Sequence, residues 1–592
     1  MALTALRIAN FKAFAASQRV PLRPITLIYG ANSAGKSSVL HALALAHHAI
    51  ETGDLDTQRT QIGGEAIDLG GFRQYVHRRE RERQVELGFE LDPRQLSGRA
   101  AELLRSAHRI VVETAIGEGM TSAQLSLFGD RVREIDREGA VRMERFALEV
   151  DGVPLLSMSA RAGGILRLDR LDHSHPVFRE LFRGILMLAT TTPEIREEDF
   201  VALGEVLDAL VPDITAKSRG LFPRIEEESE TGEVEGQTFV AVSRGHRQED
   251  LGRAARLFLP KALRDLVGGL GMALEEEIRR LRYLGPLRSY PPRHLAFSQH
   301  HDPNWFAGGG YAWDVVRTHE DVRRRVNEWL GDANRLKTPY ELVVRDLLPT
   351  AAVSRELPAK LHKALHDVAA SLLGRLQDDE HQELATLAAQ VVEQIADLDP
   401  QNQDDLVPEI EELVAAVSDE EALSERWADE MIEARSEALQ DLILIDKRTG
   451  TPVSHRDVGI GVSQVLPVLV SAYASKDELL AIEQPEIHLH PALQTELGDV
   501  LIESALADGG NTFLVETHSE HLILRILRRI RETTDGELPE GVPAVRPEQV
   551  AVLYVEPGRD GTEVLHIPIT PDGEFERMWP NGFFAERAEE LF

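Results

Sequence analysis

The chain has 592 residues and a mass of 65.8 kDa, more than one hydrophobic core usually supports, which predicts several lobes or one core with large insertions. With 43% hydrophobic, 28% charged and 5% aromatic residues, the composition excludes collagen-like, low-complexity and wholly disordered chains. The formal charge of -34 argues against a protein coated by nucleic acid, because phosphate binding needs a local excess of Lys and Arg. The absence of cysteine excludes disulfides, thiolate zinc sites and a cysteine nucleophile.

The sequence predicts neither a membrane span nor a targeting segment. Its longest uncharged stretch, 458–474, is interrupted by Gly461, Ser463, Gln464 and Pro467. The N-terminal residues lack the apolar region and cleavage site of a signal peptide. We therefore expect a cytoplasmic protein that does not contact membranes.

The first predicted elements are short strands at Leu6–Ala9, near Val20 and at Ile25–Tyr29, followed by a helix from Lys36. An antiparallel sheet is predicted from three alternating segments: Val85–Leu91, Arg109–Thr114 and Phe146–Met158. Within the last of these, Asp151-Gly152 is a hairpin signal. The first 172 residues therefore combine a short strand that leads into a helix with an antiparallel sheet.

From about His173 the apolar spacing becomes helical and remains so for most of the residues up to 440, including a strongly acidic part at 351–440. Strands are predicted again after Asp441, in the segments Leu442–Ile445, Leu479–Ile482, Thr512–Val515 and Val550–Val555. Because strand-forming ends flank a helical middle, the fold class is α/β, with one domain split by a long, mostly α-helical insertion.

A phosphate-binding loop follows the third strand. Gly30-Ala-Asn-Ser-Ala-Gly35-Lys36-Ser37 matches G-x-x-x-x-G-K-[ST] between a predicted strand and helix. In such a loop, backbone N–H groups wrap the phosphates, the lysine reaches the β- and γ-phosphates, and the serine ligates Mg²⁺. The sequence thus predicts an ATP and Mg²⁺ site in which these loop residues contact the nucleotide: Gly30, Asn32, Ser33, Gly35, Lys36, Ser37 and Ser38.

A second metal ligand is expected at the end of a buried strand. Leu479–Ile482 is apolar and is followed by Glu483. This pattern is typical of a Walker B strand, with Glu483 as its acid. Ser37 and Glu483 are therefore the predicted metal ligands.

Two more motifs stand in a fixed order around Glu483. A glycine-rich segment, Val458–Gln464, precedes it, and Thr517-His518-Ser519 follows at the end of an apolar strand. In this order the chain resembles the SMC/RecF/OLD branch of ABC-type ATPases, often called bacterial AAA family ATPases. The resemblance covers about half of the chain, and these further segments carry it: 10–14, 283–288, 483–491, 516–519 and the short C-terminal module 578–584.

The resemblance implies an ABC-type P-loop ATPase head that the helical insertion divides. On this interpretation residues 1–172 form the N-terminal lobe with the P-loop, and 173–350 form a helical insertion that returns to the head. Residues 351–440 form an acidic helical insertion, and 441–592 form the C-terminal lobe with signature, Walker B acid and switch histidine.

The resemblance further implies a homodimer or higher homo-oligomer in which each ATP lies between the P-loop of one subunit and the signature of the other. Glu483 would hold Mg²⁺, His518 would lie near the γ-phosphate, and Lys12 would approach the phosphates. The residues implied to cap the partner's nucleotide are Gly459, Gly461 and Ser463. A Q-loop glutamine is also implied, with Gln61 and Gln74 both open as candidates.

The chain departs from the family pattern at two positions. Gly459 stands where the signature usually has a serine, and Gln484 stands where the catalytic glutamate usually follows the Walker B acid. An amide can orient water but cannot accept its proton at neutral pH. Either Glu486 acts as the base or hydrolysis is slow, so the predicted catalytic set is Glu483, Gln484, Glu486 and His518.

Several functions remain open. The favoured one is an ATPase that acts on DNA or gates a separate effector, a nuclease or toxin, in bacterial antiphage defence. The alternatives are a slowly hydrolysing, nucleotide-switched scaffold and a RecF-like DNA repair ATPase. A transporter subunit is disfavoured by the long gap between P-loop and signature, and a built-in Toprim nuclease by the short segment after Asp560. The arginines expected to reach DNA are Arg73, Arg78, Arg79 and those of 279–293.

Overall fold

The computed structural model describes residues 1–119, 140–161, 164–189, 207, 210–225, 247–288, 303–332, 335, 337–347, 439–453 and 460–580. The chain divides into two units. One consists of 1–290, 300–339 and 455–592, and the other of 291–299 and 340–454. The helices predicted for the acidic segment, from 351 to 438, lie outside the described residues.

The described strands are β1 (Leu3–Ala9), β2 (Gln18–Pro21), β3 (Ile25–Gly30), β4 (Val85–Leu91), β5 (Ile110–Glu118), β6 (Val141–Val150), β7 (Val153–Ala160), β8 (Ile165–Leu171), β9 (Thr215–Arg219), β10 (Phe222–Ile225), β11 (Leu281–Leu284), β12 (Tyr340–Leu347), β13 (Leu439–Asp446), β14 (Thr451–Val453), β15 (Leu479–Glu483), β16 (Thr512–Glu516), β17 (Val550–Pro557) and β18 (Thr562–Ile567).

The described helices are α1 (Lys36–Thr52), α2 (Phe72–Tyr75), α3 (Gly98–Leu103), α4 (Pro176–Ala189), α5 (Arg247–Arg279), α6 (Pro303–Ala307), α7 (Tyr311–Thr318), α8 (Glu320–Gly331), α9 (Ile460–Ala474), α10 (Pro491–Ala505) and α11 (Glu520–Asp535).

A nine-stranded antiparallel sheet has the order β10-β9-β8-β7-β6-β5-β4-β1-β2. The predicted hairpin is present: β6 and β7 pair through a two-residue turn in which Asp151 has φ 52° and Gly152 has φ 85°. Two positive φ values are typical of a tight turn that matches the strand twist. The sequence prediction of an antiparallel sheet in this region is confirmed.

The second sheet positions the candidate site. Its order is β11-β15-β16-β3-β17-β18, and all neighbours are parallel except β17 and β18. Every residue of β3 and β15 is buried, as the mostly apolar sequences of the two strands predict. The carboxyl ends of β3, β15 and β16 therefore meet at one edge of the sheet.

One apolar core joins α1 to both sheets. Val39 and Leu43 of α1 are buried in the same cluster as Leu6 and Phe89 of the antiparallel sheet and Leu514 of the parallel sheet. The helix that begins at the phosphate-binding loop is thus anchored by burial along its length.

The helical spacing expected for most of 173–440 is interrupted by strands that the sequence pattern did not predict. β9 and β10 form a hairpin through Gly220 (φ 72°) and extend the antiparallel sheet, while β11 forms the edge of the parallel sheet. These strands have four or five residues, too few for a period-two pattern to show, and β11 pairs with β15, which lies much later in the chain.

The second unit contains a three-stranded antiparallel sheet with the order β12-β13-β14. It supplies a pairing partner for the predicted strand at Leu442–Ile445, which lies within β13. No helix among the described residues combines the length and apolar character that crossing a bilayer requires.

Candidate nucleotide-binding site

The loop between β3 and α1 has the backbone of a phosphate-binding loop. Gly30 has φ 145° and Gly35 has φ 105°. A Cβ on Gly30 would lie 2.2 Å from the carbonyl oxygen of Val555, and one on Gly35 would lie 2.7 Å from the Cβ of Ala13. Both glycines are therefore required by space as well as by conformation.

Lys36 lies within this loop rather than in solvent. Its side chain is 4% exposed, and Nζ donates to the carbonyl oxygens of Gly30 at 3.1 Å and Ala31 at 3.0 Å. Burial lowers the pKa of Lys36, although the carboxylates of Glu516 and Glu483 oppose that shift. The ammonium group is positioned at the head of α1, where anions bind readily.

Ser37 contacts an acid that the sequence analysis did not single out. Its Oγ donates to Oε2 of Glu516 at 2.6 Å, and Nζ of Lys36 lies 3.8 Å from Oε1 of the same side chain. Glu516 is the last residue of β16 and is 4% exposed. Burial, reinforced by the charge of Glu483, raises the pKa of Glu516 to about 7. A signal was available, since Glu516 ends an apolar strand in the same way that Glu483 does.

Glu483 ends β15 and pairs in register with Glu516. Its Oε1 accepts a hydrogen bond from the hydroxyl of Tyr283 at 2.9 Å and lies 3.6 Å from Nε2 of His41. The other ring nitrogen of His41 lies 2.6 Å from Nζ of Lys12. The structure thus connects the predicted phosphate-contacting Lys12 to the predicted metal ligand through one imidazole.

Lys12 is held by the loop between β1 and β2. It has φ 48°, its N–H donates to the carbonyl of Tyr75 at 2.6 Å, and its own carbonyl lies 2.9 Å from Nδ1 of His77. Burial lowers the pKa of Lys12 to about 8. A cleft of about 570 Å³ opens beside Lys12 and is lined by Asp68, Leu69, Gly70, Gln74, Val76, Arg78 and Arg79.

Both candidate Q-loop residues are exposed, but only Gln74 lines the cleft beside Lys12. Gln74 is therefore the one that shares a surface with a predicted phosphate-contacting residue.

The segment after Glu483 joins it to the switch histidine. Gln484 has φ 46°, a strained value for a residue with a side chain, and its N–H donates to the carbonyl of Glu516 at 2.7 Å. Glu486 is buried, and its Oε1 accepts the backbone N–H of His518 at 2.7 Å. Burial raises the pKa of Glu486, so its neutral form is favoured relative to a solvent-exposed glutamate.

His518 follows β16 at the same sheet edge. Its Nε2 is buried and makes no hydrogen bond with another described residue. Burial, together with the charge of Lys36, lowers the pKa of His518, so the ring is neutral near pH 7. Ser519 then caps α11, with its Oγ accepting the N–H of Leu522 at 3.1 Å, which fixes the turn that carries His518.

Arg288, in the segment that follows β11, was expected only among the arginines of 279–293 that reach DNA, but it is buried beside Glu483 instead. Its Nη2 donates to the carbonyl oxygens of Glu483 at 3.0 Å and Gln484 at 3.3 Å. The carbonyl of Arg288 accepts Nε2 of Gln464, from α9, at 3.3 Å. Burial lowers the pKa of Arg288 to about 10. The motif Tyr283–Arg288, which contributes to the family resemblance, was the sequence signal for this position.

Of the predicted signature residues, Gly459 lies outside the described residues. Gly461 is in the first turn of α9, where a Cβ would lie 2.8 Å from the carbonyl oxygen of His488. Ser463 is 3% exposed, so within one chain it faces protein rather than solvent.

Of the predicted DNA-contacting arginines, Arg293 lies outside the described residues, and Arg288 is buried against the carbonyls of Glu483 and Gln484, so it is not placed to contact DNA. The others fall into two groups. In the first group the side chain pairs with a carboxylate of the same chain: Arg73 with Glu118, Arg279 with Glu51, Arg280 with Asp477 and Arg282 with Glu478, all within 3.0 Å. In the second group, Arg78 and Arg79 are exposed, and no ion pair connects either to another described residue.

The oxygen donors at the sheet edge fit a Mg²⁺ ion. Ser37 offers a hydroxyl, and Glu483 and Glu516 offer carboxylates, which are the hard oxygen ligands that Mg²⁺ prefers. The N–H groups at the start of α1 and the ammonium of Lys36 lie beside them and suit phosphate oxygens.

Two family models match separate segments of the chain. Residues 5–132 match a family described as an AAA domain, and residues 273–525 match one described as "AAA domain, putative AbiEii toxin, Type IV TA system". The two segments contain the P-loop and the Walker B acid respectively, so one ABC-type AAA ATPase domain is split along the chain. No curated protein matches the chain.

Solved structures resemble the chain weakly. An SMC head bound to the C-terminal winged-helix domain of ScpA has 9% identity and a TM-score of 0.33, over 96% of this chain and 98% of that one. An SMC head with an extended coiled coil, bound to the C-terminal domain of ScpA and derived from Pyrococcus furiosus, has 10% identity and a TM-score of 0.32, over 100% and 98%. One from Pyrococcus yayanosii has 11% identity and a TM-score of 0.29, over 100% of both chains. At these TM-scores the resemblance does not establish a shared arrangement.

The raised pKa of Glu516 predicts a pH-dependent stability without metal or nucleotide. Because the folded-state pKa of about 7 exceeds the ordinary 4.5, folding favours the protonated acid, and stability falls as the pH rises from about 4.5 through 7. Glu516→Gln removes this loss. Between pH 5 and pH 8, the free energy of unfolding of the variant should therefore rise by up to about 3 kcal/mol relative to that of the parent.

Denaturant unfolding in EDTA at the two pH values measures this difference. The exposed Glu540→Gln is the matched control and should differ from the parent equally at both pH values. If the free energy of unfolding of Glu516→Gln also differs from that of the parent by the same amount at both pH values, Glu516 titrates normally.

Proposed function

We propose that this chain, which carries an ABC-type AAA ATPase domain in two segments, binds ATP with Mg²⁺ and hydrolyses it slowly to control a partner protein. The observation that carries the proposal is the convergence of Lys36, Ser37, Glu483 and His518 at one edge of a parallel sheet. These side chains come from three neighbouring strand ends, β3, β15 and β16.

Each residue has a chemical role that its position supports. Lys36 would exchange its carbonyl acceptors at Gly30 and Ala31 for phosphate oxygens, and the N–H groups of the loop and first helical turn would complete the phosphate contacts. Ser37 and Glu483 would hold Mg²⁺, which neutralises charge on the phosphates. The neutral ring of His518 can donate or accept one hydrogen bond near the γ-phosphate.

Slow hydrolysis follows from the residues after Glu483. Gln484 cannot take a proton from water at neutral pH, and Glu486 already uses Oε1 to hold the backbone of His518. Glu486 is thus better explained as a positioning residue for His518 than as a base. This favours a nucleotide-switched ATPase over one with rapid turnover.

A dimer with ATP between two heads is the assembly that the family resemblance implies. In that assembly the start of α9, with Gly459 and Gly461, meets the nucleotide of the other subunit. The description of the C-terminal family model includes a toxin of a type IV toxin–antitoxin system. We therefore propose that the partner is a separate effector, a nuclease or toxin, within a bacterial antiphage system.

Lys36→Ala should weaken ATP binding by at least a hundredfold, because the variant lacks the only side-chain cation placed inside the loop. It should also abolish ATP-dependent dimerisation and ATP-dependent recovery of a partner in a pull-down. Equilibrium titration with ATP and Mg²⁺, together with size-exclusion chromatography, measures both effects. Lys261→Ala, an exposed change on α5, is the control. Unchanged ATP affinity in Lys36→Ala would refute the assignment of the P-loop.

Gln484→Glu should raise the steady-state rate of phosphate release by about tenfold or more, because it places a proton acceptor directly after Glu483. Both side chains have the same length and the same strained backbone position, so the comparison isolates the charge. Glu486→Gln retains the acceptor for the N–H of His518 and should change the rate by less than about threefold. A much larger loss in Glu486→Gln would instead identify Glu486 as the base.

DNA binding remains a second candidate function, favoured by the exposed Arg78 and Arg79 beside the cleft of Lys12. If DNA binds there, the double change to Glu should abolish a mobility shift on duplex DNA with ATP and Mg²⁺ without altering ATP affinity. The matched double change at Arg279 and Arg282 should have little effect on the shift, since both already pair with carboxylates. Binding should weaken steeply with salt. No shift at low or physiological salt would leave protein partners as the targets.

A further inference from the structure

We propose that Glu516 is a ligand of the divalent cation, beside Ser37 and Glu483, so that this ATPase holds its cation with two carboxylates. The proposal rests on the proposed function and specifies its metal site more closely. It identifies a binding residue that the P-loop and Walker B patterns do not predict.

The sheet places the two acids side by side. Glu483 and Glu516 are the last residues of neighbouring parallel strands and are partners in register. Neighbouring strands are about 4.8 Å apart, and register partners in a parallel pair project from the same face. The two carboxylates therefore leave the sheet in the same direction at the edge where the P-loop lies.

The contact with Ser37 fixes the position of Glu516 relative to the predicted cation. The hydroxyl of Ser37 donates to Glu516 at 2.6 Å. An ion bound to the oxygen of that hydroxyl lies within the reach of the same carboxylate. β16 is also the strand next to β3, so Glu516 lies closer in the sheet to the P-loop strand than Glu483, which is one strand further away.

Charge supports the assignment. Both carboxylates are buried, at 7% exposure for Glu483 and 4% for Glu516, and Lys36 lies 3.8 Å from Glu516. Lys36 is the ammonium group beside Glu516, while Lys12 reaches Glu483 only through the ring of His41, and both ammonium groups are also placed for phosphate. A divalent cation supplies the missing charge and accepts the carboxylate and hydroxyl oxygens as ligands.

A structural role for Glu516 is the competing interpretation. In that case Glu516 only holds the hydroxyl of Ser37 by hydrogen bonding, and a neutral side chain of the same shape would serve as well. Glu516→Gln separates the two roles, because the amide oxygen can still accept the hydrogen bond of Ser37 but carries no charge.

The test measures binding of Mn²⁺ alone, by the loss of the free-ion signal in electron paramagnetic resonance, with full-length protein and no nucleotide. Glu516→Gln should weaken Mn²⁺ binding by at least about tenfold, as Glu483→Gln should, and Glu516→Asp should restore part of the affinity. ATP affinity in EDTA should not fall in Glu516→Gln, since the change removes a negative charge beside the phosphate site. The control Glu540→Gln should bind Mn²⁺ as the parent does.

Mn²⁺ affinity within twofold of the parent in Glu516→Gln would overturn the proposal and leave the structural role. The outcome is independent of the proposed function. If the parent protein binds no ATP but binds Mn²⁺ through Glu516, the proposed ATPase function is refuted and the cation site is retained. If the parent binds ATP but its Mn²⁺ affinity does not depend on Glu516, the cation site is refuted and the ATPase function is retained. Thermal unfolding of each variant shows that the comparison is made on folded protein.

Discussion

The register between β15 and β16 is the constraint on which the candidate site depends. It brings Glu483 and Glu516 to the same level of the sheet, and the neighbouring pairing of β16 with β3 brings the P-loop to that level too. A slip of one residue between these strands would turn one acid to the opposite face. The apolar, fully buried sequences of β3 and β15 hold the register, because any shift would expose apolar side chains or bury the acids more deeply.

The acids are tolerated at this depth because polar neighbours surround them. Tyr283 and His41 approach Glu483, while Ser37 and Lys36 approach Glu516. Even so, burial lowers the pKa of Lys36 and raises the pKa of Glu516. For each side chain, the cost of burying its charge is therefore larger than the stabilisation that its charged neighbours provide. Such a site is less stable than an apolar one would be, and it gains from ligands that supply the complementary charges.

The sequence alone was sufficient for the parts of the site that carry local patterns. The P-loop needs two glycines and a lysine within eight residues, and Glu483 follows four apolar residues, so both were predicted from short windows. Glu516 was missed because only strand order makes it a neighbour of Ser37, which is 479 residues away in sequence. The ion pairs of Arg282 and Arg73 were equally inaccessible, since their partners lie in distant segments.

The same reasoning explains the errors in the fold prediction. The antiparallel sheet was visible because its longer strands alternate clearly, as in β6. β9 to β11 are not predictable from the sequence pattern because four or five residues cannot establish a period. They are stabilised by the pairing of β9 with β8 and β10 and of β11 with β15.

The segment after Glu483 also connects the site to the signature helix. Arg288 donates to the carbonyls of Glu483 and Gln484 through one nitrogen, and its own carbonyl accepts Gln464 from α9. Gly461 packs so closely on the carbonyl of His488 that a Cβ would lie 2.8 Å away. Because close-packed groups cannot move independently, a shift of this segment on nucleotide turnover has to be accommodated by α9. The start of α9 is the part that the proposed dimer would place on the other subunit's nucleotide, so the two sites of such a dimer would be coupled through these contacts.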